Sequence, residues 1–283
     1  MVDRFREVRG VRVPTFLYGT AWKEDATQRL VERALAAGFR GIDTANQRRH
    51  YDEAAVGRGV AAALARGEAR RDELFFQTKY TFRAGQDHRL PYDAGAPVGD
   101  QVRQSVASSL DHLGIDAVDS YVLHGPSRGR GLGPEDREAW QAMEEQHDAG
   151  RARLLGVSNV RPDQLEALCA AARVMPAFVQ NRCYAQLGWD AEVREICARR
   201  GLVYQGFSLL TANPAVVTGH AVGAIASRHG RTPAQVVFRF CLQLGMVVLT
   251  GTTDAAHMEE DLGAYALELD VGEMRAIRGA DAD

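Results

Sequence analysis

The stretch Gly41 to Gly57, "GIDTANQRRHYDEAAVG", contains one complete structural transition. A short apolar start runs into Asp43 as a strand would end, a polar turn follows, and Tyr51 with two acids leads into an Ala-rich run of helical character. The same passage recurs along the chain. Strand candidates are "TFLYG" (15–19), "GIDTA" (41–45), "LFFQTK" (74–79), "VDSYVLH" (118–124), "RLLGVS" (153–158), "FVQNRC" (178–183), "LVYQGF" (202–207) and "MVVLTG" (246–251). Between them lie stretches such as "DATQRLVERALAAG", "VGDQVRQSVASSLDHLG" and "TPAQVVFRFCLQLG", with apolar residues three and four apart and Gly at several ends. Eight such units predict an α/β fold, a (β/α)8 TIM barrel. A doubly wound sheet would carry fewer units and a Gly-rich fingerprint, and no G-x-G-x-x-G follows "TFLYG". Ahead of the barrel, "FREVRGVRV" predicts a β-hairpin turning at Arg9-Gly10 that plugs the barrel's amino-terminal end. The span 1–283 reads as a single barrel domain.

Bulk composition narrows the function. The 283 residues are 46% hydrophobic and 25% charged, as in ordinary water-soluble domains. A net charge of −3 gives no electrostatic case for nucleic acid or an anionic membrane. Cys169, Cys183, Cys197 and Cys241 form no C-x-x-C pair and imply neither a zinc site nor a disulfide framework. No apolar run approaches the roughly 20 residues of a membrane span, and the charged start "MVDRFREVRG" has no leader character, so a cytoplasmic protein is expected. The sequence does not set an oligomeric state.

Three titratable groups of different kind end neighbouring strand candidates: Asp43, Lys79 and His124. Any one alone is ordinary, as an Asx turn, an exposed end or a core histidine. Together, on the carboxyl face where barrel enzymes place their sites, they point to chemistry. Two long stretches follow strands on that same face, 80–98 and 125–134. With a phenol from the loop after Asp43, the set suits proton delivery to an oxyanion. An ammonium at Lys79, held by Asp43, would lower the phenol's pKa, and His124 would donate a hydrogen bond to a carbonyl oxygen. No metal is needed. A metal-dependent hydrolase would show a His-x-His pair or several acids at strand ends, and neither is present in the sequence.

The chain resembles the aldo-keto reductase family in "GTAWK" (19–23), "GIDTA" with "YDEAAVG", "QTK", "DSYVLHGP", "GVSN" (156–159), "VQN" (179–181), "GFSLL" (206–210) and "LTGTTDAAHMEEDL" (249–262). The resemblance implies reduction of an aldehyde or ketone to an alcohol with NADPH, NADH being possible, and a tetrad of Asp43, Tyr51, Lys79 and His124. It implies a nicotinamide cofactor held by Gly19, Thr20, Asp43, Ser158, Asn159 and Gln180, with Phe207 stacked on the ring. Ser208 and Leu210 would touch the pyrophosphate, and Gly251, Thr252, Thr253, His257, Glu260 and Asp261 the adenosine half. The helix of that last segment would present free backbone N–H groups to phosphate. Trp22, Tyr51 and His124 would meet a small-molecule carbonyl substrate.

The resemblance also has departures. Arg48 stands where the family usually has its Tyr, five residues after Asp43, and the loop is two residues longer counted back from Glu53, which makes Tyr51 the matching phenol. His50 is the nearest alternative acid, and Tyr18 and Tyr80 are phenols that a barrel could turn inward. Gly251 and His257 stand where NADP-preferring relatives often carry Lys and Arg. Only about one helix follows the cofactor segment, which implies an open pocket walled by Trp22 and the two long loops. Arg48, Arg49, Arg83, Arg89, Arg128 and Arg130 make that rim basic, either as a lure for an anionic carbonyl compound or simply as solvated side chains. A second implied role is a cofactor-binding regulatory subunit that senses redox state with little turnover.

Overall fold

A computed structural model describes residues 2–279; Met1 and 280–283, the ends of the 1–283 span, lie outside the described residues. The chain begins with an antiparallel hairpin, β1 (Phe5–Val8) and β2 (Val11–Pro14), in register from Phe5 opposite Pro14 to Val8 opposite Val11. Arg9 and Gly10 form its two-residue turn with φ of 49° and 78°. Two positive φ values define a type I′ turn, whose twist matches that of the flanking strands.

Eight parallel strands then close on themselves: β3 (Phe16–Gly19), β4 (Gly41–Asp43), β5 (Phe75–Tyr80), β6 (Val118–Leu123), β7 (Ala152–Ser158), β8 (Phe178–Arg182), β9 (Val203–Phe207) and β10 (Val247–Thr250). The last pairs back on the first, Val248 opposite Phe16 and Thr250 opposite Tyr18. The expected (β/α)8 barrel with its amino-terminal hairpin is the observed fold. Around the barrel lie α1 (Thr27–Ala37), α2 (Glu53–Ala65), α3 (Val98–Leu113), α4 (Pro134–Asp148), α5 (Pro162–Ala171), α6 (Ala191–Arg200), α7 (Pro214–Val217), α8 (His220–His229), α9 (Pro233–Gln243), α10 (Ala255–Leu262) and α11 (Val271–Gly279). Asp52 caps α2 by accepting from the Ala55 N–H at 2.9 Å. Within α2, Gly57 lies so close to α3 that an added Cβ would run into the His112 carbonyl.

Side chains alternate along a strand, so every second residue points into the barrel. At the bottom those residues are apolar: Leu17, Phe75, Leu154, Phe178, Val203 and Val247 form one buried cluster with Val8 and Val13 of the hairpin. Each such side chain stabilises by about 1.5–3 kcal/mol relative to exposure. The hairpin is also held by Arg9, whose guanidinium donates to the carbonyls of Met175 (2.6 Å) and Pro176 (2.9 Å). Two residues higher the lining turns polar: Phe75 gives way to Gln77, Phe178 to Gln180 and Val203 to Gln205, all three glutamines 3% exposed or less. That amide layer is the floor of the site above it. All four cysteines are free and buried.

Candidate active site

Gln77 Nε2 donates to Asp43 Oδ1 at 2.7 Å and Gln180 Nε2 donates to it at 2.9 Å; both amides also reach Gln205 Oε1, at 2.8 and 3.0 Å. Lys79 Nζ donates to both Asp43 oxygens, at 2.7 and 2.8 Å, and to the Thr44 carbonyl at 2.8 Å. Those three bonds use every proton an ammonium has. None remains for Tyr51, whose ring instead lies 5.5 Å from Lys79 Nζ, centroid to nitrogen. Burial, and after it the Asp43 carboxylate, pushes the Tyr51 phenol above its ordinary pKa. Burial likewise lowers that of Lys79, with Asp43 opposing. Burial outweighs any help the Lys79 ammonium gives the phenolate, so Tyr51 is a phenol that keeps its proton here.

The His124 ring stands edge-on to Tyr51 with centroids 6.0 Å apart. Burial, then the Lys79 ammonium and His50, pushes the imidazole down to about 3, so it is neutral at physiological pH. The alternative acids point elsewhere. Tyr18 Oη donates to the Thr252 carbonyl at 2.9 Å, Tyr80 Oη donates to Gln101 Oε1 at 3.2 Å, and His50 stacks on Trp22 with centroids 3.7 Å apart. Glu53 seats the loop between Asp43 and α2 from below, accepting from Ser109 Oγ at 3.0 Å and from Thr78 Oγ1.

Tyr51, His124 and Asp43 open onto a cavity of about 670 Å³ that runs from these groups to α10. Its walls include Gly19, Trp22, Ser158, Asn159, Gln180, Phe207, Ser208 and Leu210 at the near end, and Gly251, Thr252, His257, Glu260 and Asp261 at the far end. Three residues expected around the site lie off the wall. Lys79 is 1% exposed behind Asp43, Thr20 is fully buried with its hydroxyl donating to the Asp43 carbonyl at 3.1 Å, and Thr253 is an exposed residue outside the cavity. Ser158 and Asn159 have already committed their protons: Ser158 Oγ donates to the Gln180 carbonyl (2.6 Å), and Asn159 Nδ2 donates to the His124 carbonyl (2.8 Å) and Ser158 Oγ (3.1 Å). What they and Gln180 still offer a ligand is acceptor oxygens.

The far end departs from expectation. The backbone N–H groups at the start of α10 are not free, because Asp254 accepts from Ala256 N (2.7 Å) and His257 N (3.2 Å). Asp is a favoured N-cap, and its carboxylate occupies the place a phosphate would need. Asp261, 4% exposed, accepts from Thr250 Oγ1 at 2.7 Å, and burial pushes its carboxyl up to about 6. The basic rim is partly spent as well. Arg48 donates to His112 Nε2 at 2.8 Å, and Arg89 donates to Asp87 and to the Arg48 carbonyl.

Lys23, inside the "GTAWK" motif, is a wall residue that the sequence did not single out. It is 8% exposed, and its ammonium donates to the Gly251 carbonyl across 228 positions of sequence. Ala21, Leu209, Thr211, Thr232, Ala234, Phe238 and Thr250 are further wall residues of that kind. Only the closure of β10 onto β3 brings Lys23 and Gly251 together, so no local signal would have found the contact. A second cavity, about 490 Å³, adjoins the first at His124 and Asn159 and is walled by the two long loops, with Gln47, Thr81, Arg83, Gln101 and Ser127 among its residues.

Comparison with known proteins agrees with this geometry. Residues 15–282 match the model of the Aldo/keto reductase family. An aldo-keto reductase of Mycolicibacterium vanbaalenii is 32% identical over 275 residues, covering 95% of this chain and 88% of that protein. Prostaglandin F synthase 1 of Bos taurus is 26% identical, covering 94% and 88%. The crystal structure of an aldo/keto reductase from Brucella melitensis shares the fold, with a TM-score of 0.83, 24% identity and coverage of 99% and 100%. No helix among the described residues is long and apolar enough to cross a membrane. The chain belongs to the aldo/keto reductase family, oxidoreductases that act on small-molecule carbonyl compounds, generally with NAD(P)H.

Proposed function

We propose that this protein reduces an aldehyde or ketone to the corresponding alcohol with NADPH or NADH. The observation that carries the reading is the meeting of Tyr51, His124 and the buried Lys79–Asp43 pair at one end of a single cavity long enough to continue to α10. The cavity residues fit a nicotinamide dinucleotide. Acceptor oxygens on Gln180, Asn159 and Ser158 suit a carboxamide's N–H groups, Phe207 offers a ring face, and Lys23, beside Gly251, sets a cation on the wall toward α10. When bound, the reduced nicotinamide supplies the hydride to the carbonyl carbon.

Tyr51 gives its proton to the carbonyl oxygen as negative charge develops there. A phenol kept neutral by burial is ready to donate, and the Lys79 ammonium, 5.5 Å from its ring, stabilises the phenolate left behind until solvent returns the proton. Asp43 holds Lys79 charged and fixed, and the glutamine layer holds Asp43. Neutral His124 orients the carbonyl oxygen by hydrogen bonding. At the adenosine end the nearby carboxylates Asp254, Glu260 and Asp261 oppose a 2′-phosphate, while Thr252, His257 and Lys23 favour one, so both cofactors are to be tried.

Titration of the protein with NADPH and with NADH, followed by quenching of the exposed Trp22 on the cavity wall, tests cofactor binding directly. Tyr51→Phe then tests the acid. It is expected to lower turnover of aldehydes by about 10²–10⁴-fold with cofactor affinity unchanged. Turnover near that of the wild type would remove Tyr51 from the mechanism, and absence of binding by either cofactor would remove the redox reading.

A further inference from the structure

Thr81 is the first residue beyond β5, 6% exposed, on the wall of the second cavity where it meets the first. Its Oγ1 lies 2.6 Å from His124 Nδ1. Both residues are pinned through their backbones. The Thr81 carbonyl accepts from Tyr92 Oη at 2.8 Å; the His124 N–H donates to the Tyr80 carbonyl at 2.9 Å, and the His124 carbonyl accepts from Asn159. Gly85 packs on the Thr81 methyl so tightly that a Cβ there would come within 2.7 Å of Cγ2.

The direction of this hydrogen bond follows from counting protons. Among the described residues, Thr81 Oγ1 has no hydrogen-bond partner besides His124 Nδ1. If the ring donated from Nδ1, the part-buried hydroxyl proton would face no protein acceptor, at a cost of up to about 1–3 kcal/mol. If Thr81 donates, both groups are satisfied. A neutral imidazole that accepts at Nδ1 carries its proton on Nε2.

We propose that Thr81 is a positioning residue that fixes His124 as the Nε2–H tautomer and thereby makes the ring a hydrogen-bond donor to the substrate's carbonyl oxygen. The second half of this statement rests on the carbonyl-reductase reading; the first half does not. With the other tautomer, a lone pair on Nε2 would face the carbonyl oxygen and repel it, so the hydroxyl of Thr81 determines whether His124 assists or opposes catalysis.

Nitrogen-15 NMR of the His124 ring in the full-length protein, alongside steady-state kinetics, provides the test. Wild type is expected to show the proton on Nε2. Thr81→Val, close to the same shape without the hydroxyl, is expected to shift the ring toward Nδ1–H and to lower kcat about 10–100-fold with a smaller change in KM, the scale on which residues supporting a functional histidine act. Thr81→Ser should restore both. A wild-type ring protonated on Nδ1 overturns the proposal, as does a Thr81→Val protein whose tautomer and kcat match the wild type. The ring signal needs no substrate, so if no carbonyl compound is turned over, the functional reading fails while the tautomer is still decided.

Discussion

Phe75 and Lys79 lie four residues apart on β5 and point into the same barrel, the Phe75 ring against Phe178 and the hairpin valines, the Lys79 ammonium against Asp43. At the bottom, stability comes from apolar area and is spread over many contacts, so each side chain is replaceable by another of similar volume. At the top, every proton of Lys79 has a named acceptor and Asp43 Oδ1 alone takes three donors, so one deletion orphans several groups. The barrel thus places a forgiving layer beneath an exacting one. Burial alone does not tell the two apart, since both are almost fully excluded from solvent.

The largest separation should come from Lys79→Met. Removing one member of a buried pair leaves an uncompensated charge, and a loss of about 3–5 kcal/mol is expected together with loss of turnover. A thermal melt and an activity assay on the same sample check this. If the variant keeps its Tm, Asp43 is not carrying a buried charge and the contrast between layers collapses.

Leu17→Ala sharpens the contrast from the other side. Leu17 is fully buried in the bottom cluster, and truncation should cost about 2–5 kcal/mol, the range set by how far the cavity relaxes. Turnover per folded molecule should stay that of the wild type. A change in kcat at temperatures where the variant is folded would show that the bottom layer tunes the site.

The sequence carried the top layer unevenly. Asp43, Lys79 and His124 were legible because each lies within one residue of the carboxyl end of a strand, which on a barrel has one possible face. Gln77 and Gln205 were not, because within "LFFQTK" and "LVYQGF" a polar residue at an inward step looks like ordinary alternation. Lys23 needed the closure of β10 on β3 to reach Gly251. Asp254 shows a different limit: resemblance to a phosphate-binding segment implied free backbone N–H groups there, and the structure covers them with the Asp254 carboxylate. Tyr51 could be found only by counting back from Glu53. The ring's relation to Lys79, beside the ammonium without a bond to it, depends on where Thr44 and Asp43 take the three protons.

Asp261 lies between the two kinds of layer and gives the smallest but most specific test. It is a buried acid with one hydroxyl donor, Thr250, and burial pushes its carboxyl up to about 6 from an ordinary value near 3.8. A carboxyl whose folded pKa is raised favours the fold in its protonated form. Its contribution is fully present below the unfolded value near pH 4 and is lost as pH rises through about 6. At neutral pH the wild type therefore carries a penalty of about 1–3 kcal/mol that an amide would not, while Oδ1 of an Asn could still accept from Thr250. Asp261→Asn is expected to raise Tm at pH 7.5 and to lose that advantage near pH 4. Equal shifts at both pH values would mean the gain is packing rather than charge, and a loss at pH 7.5 would mean the ionised Asp261 carboxylate is held by a partner, a top-layer residue after all.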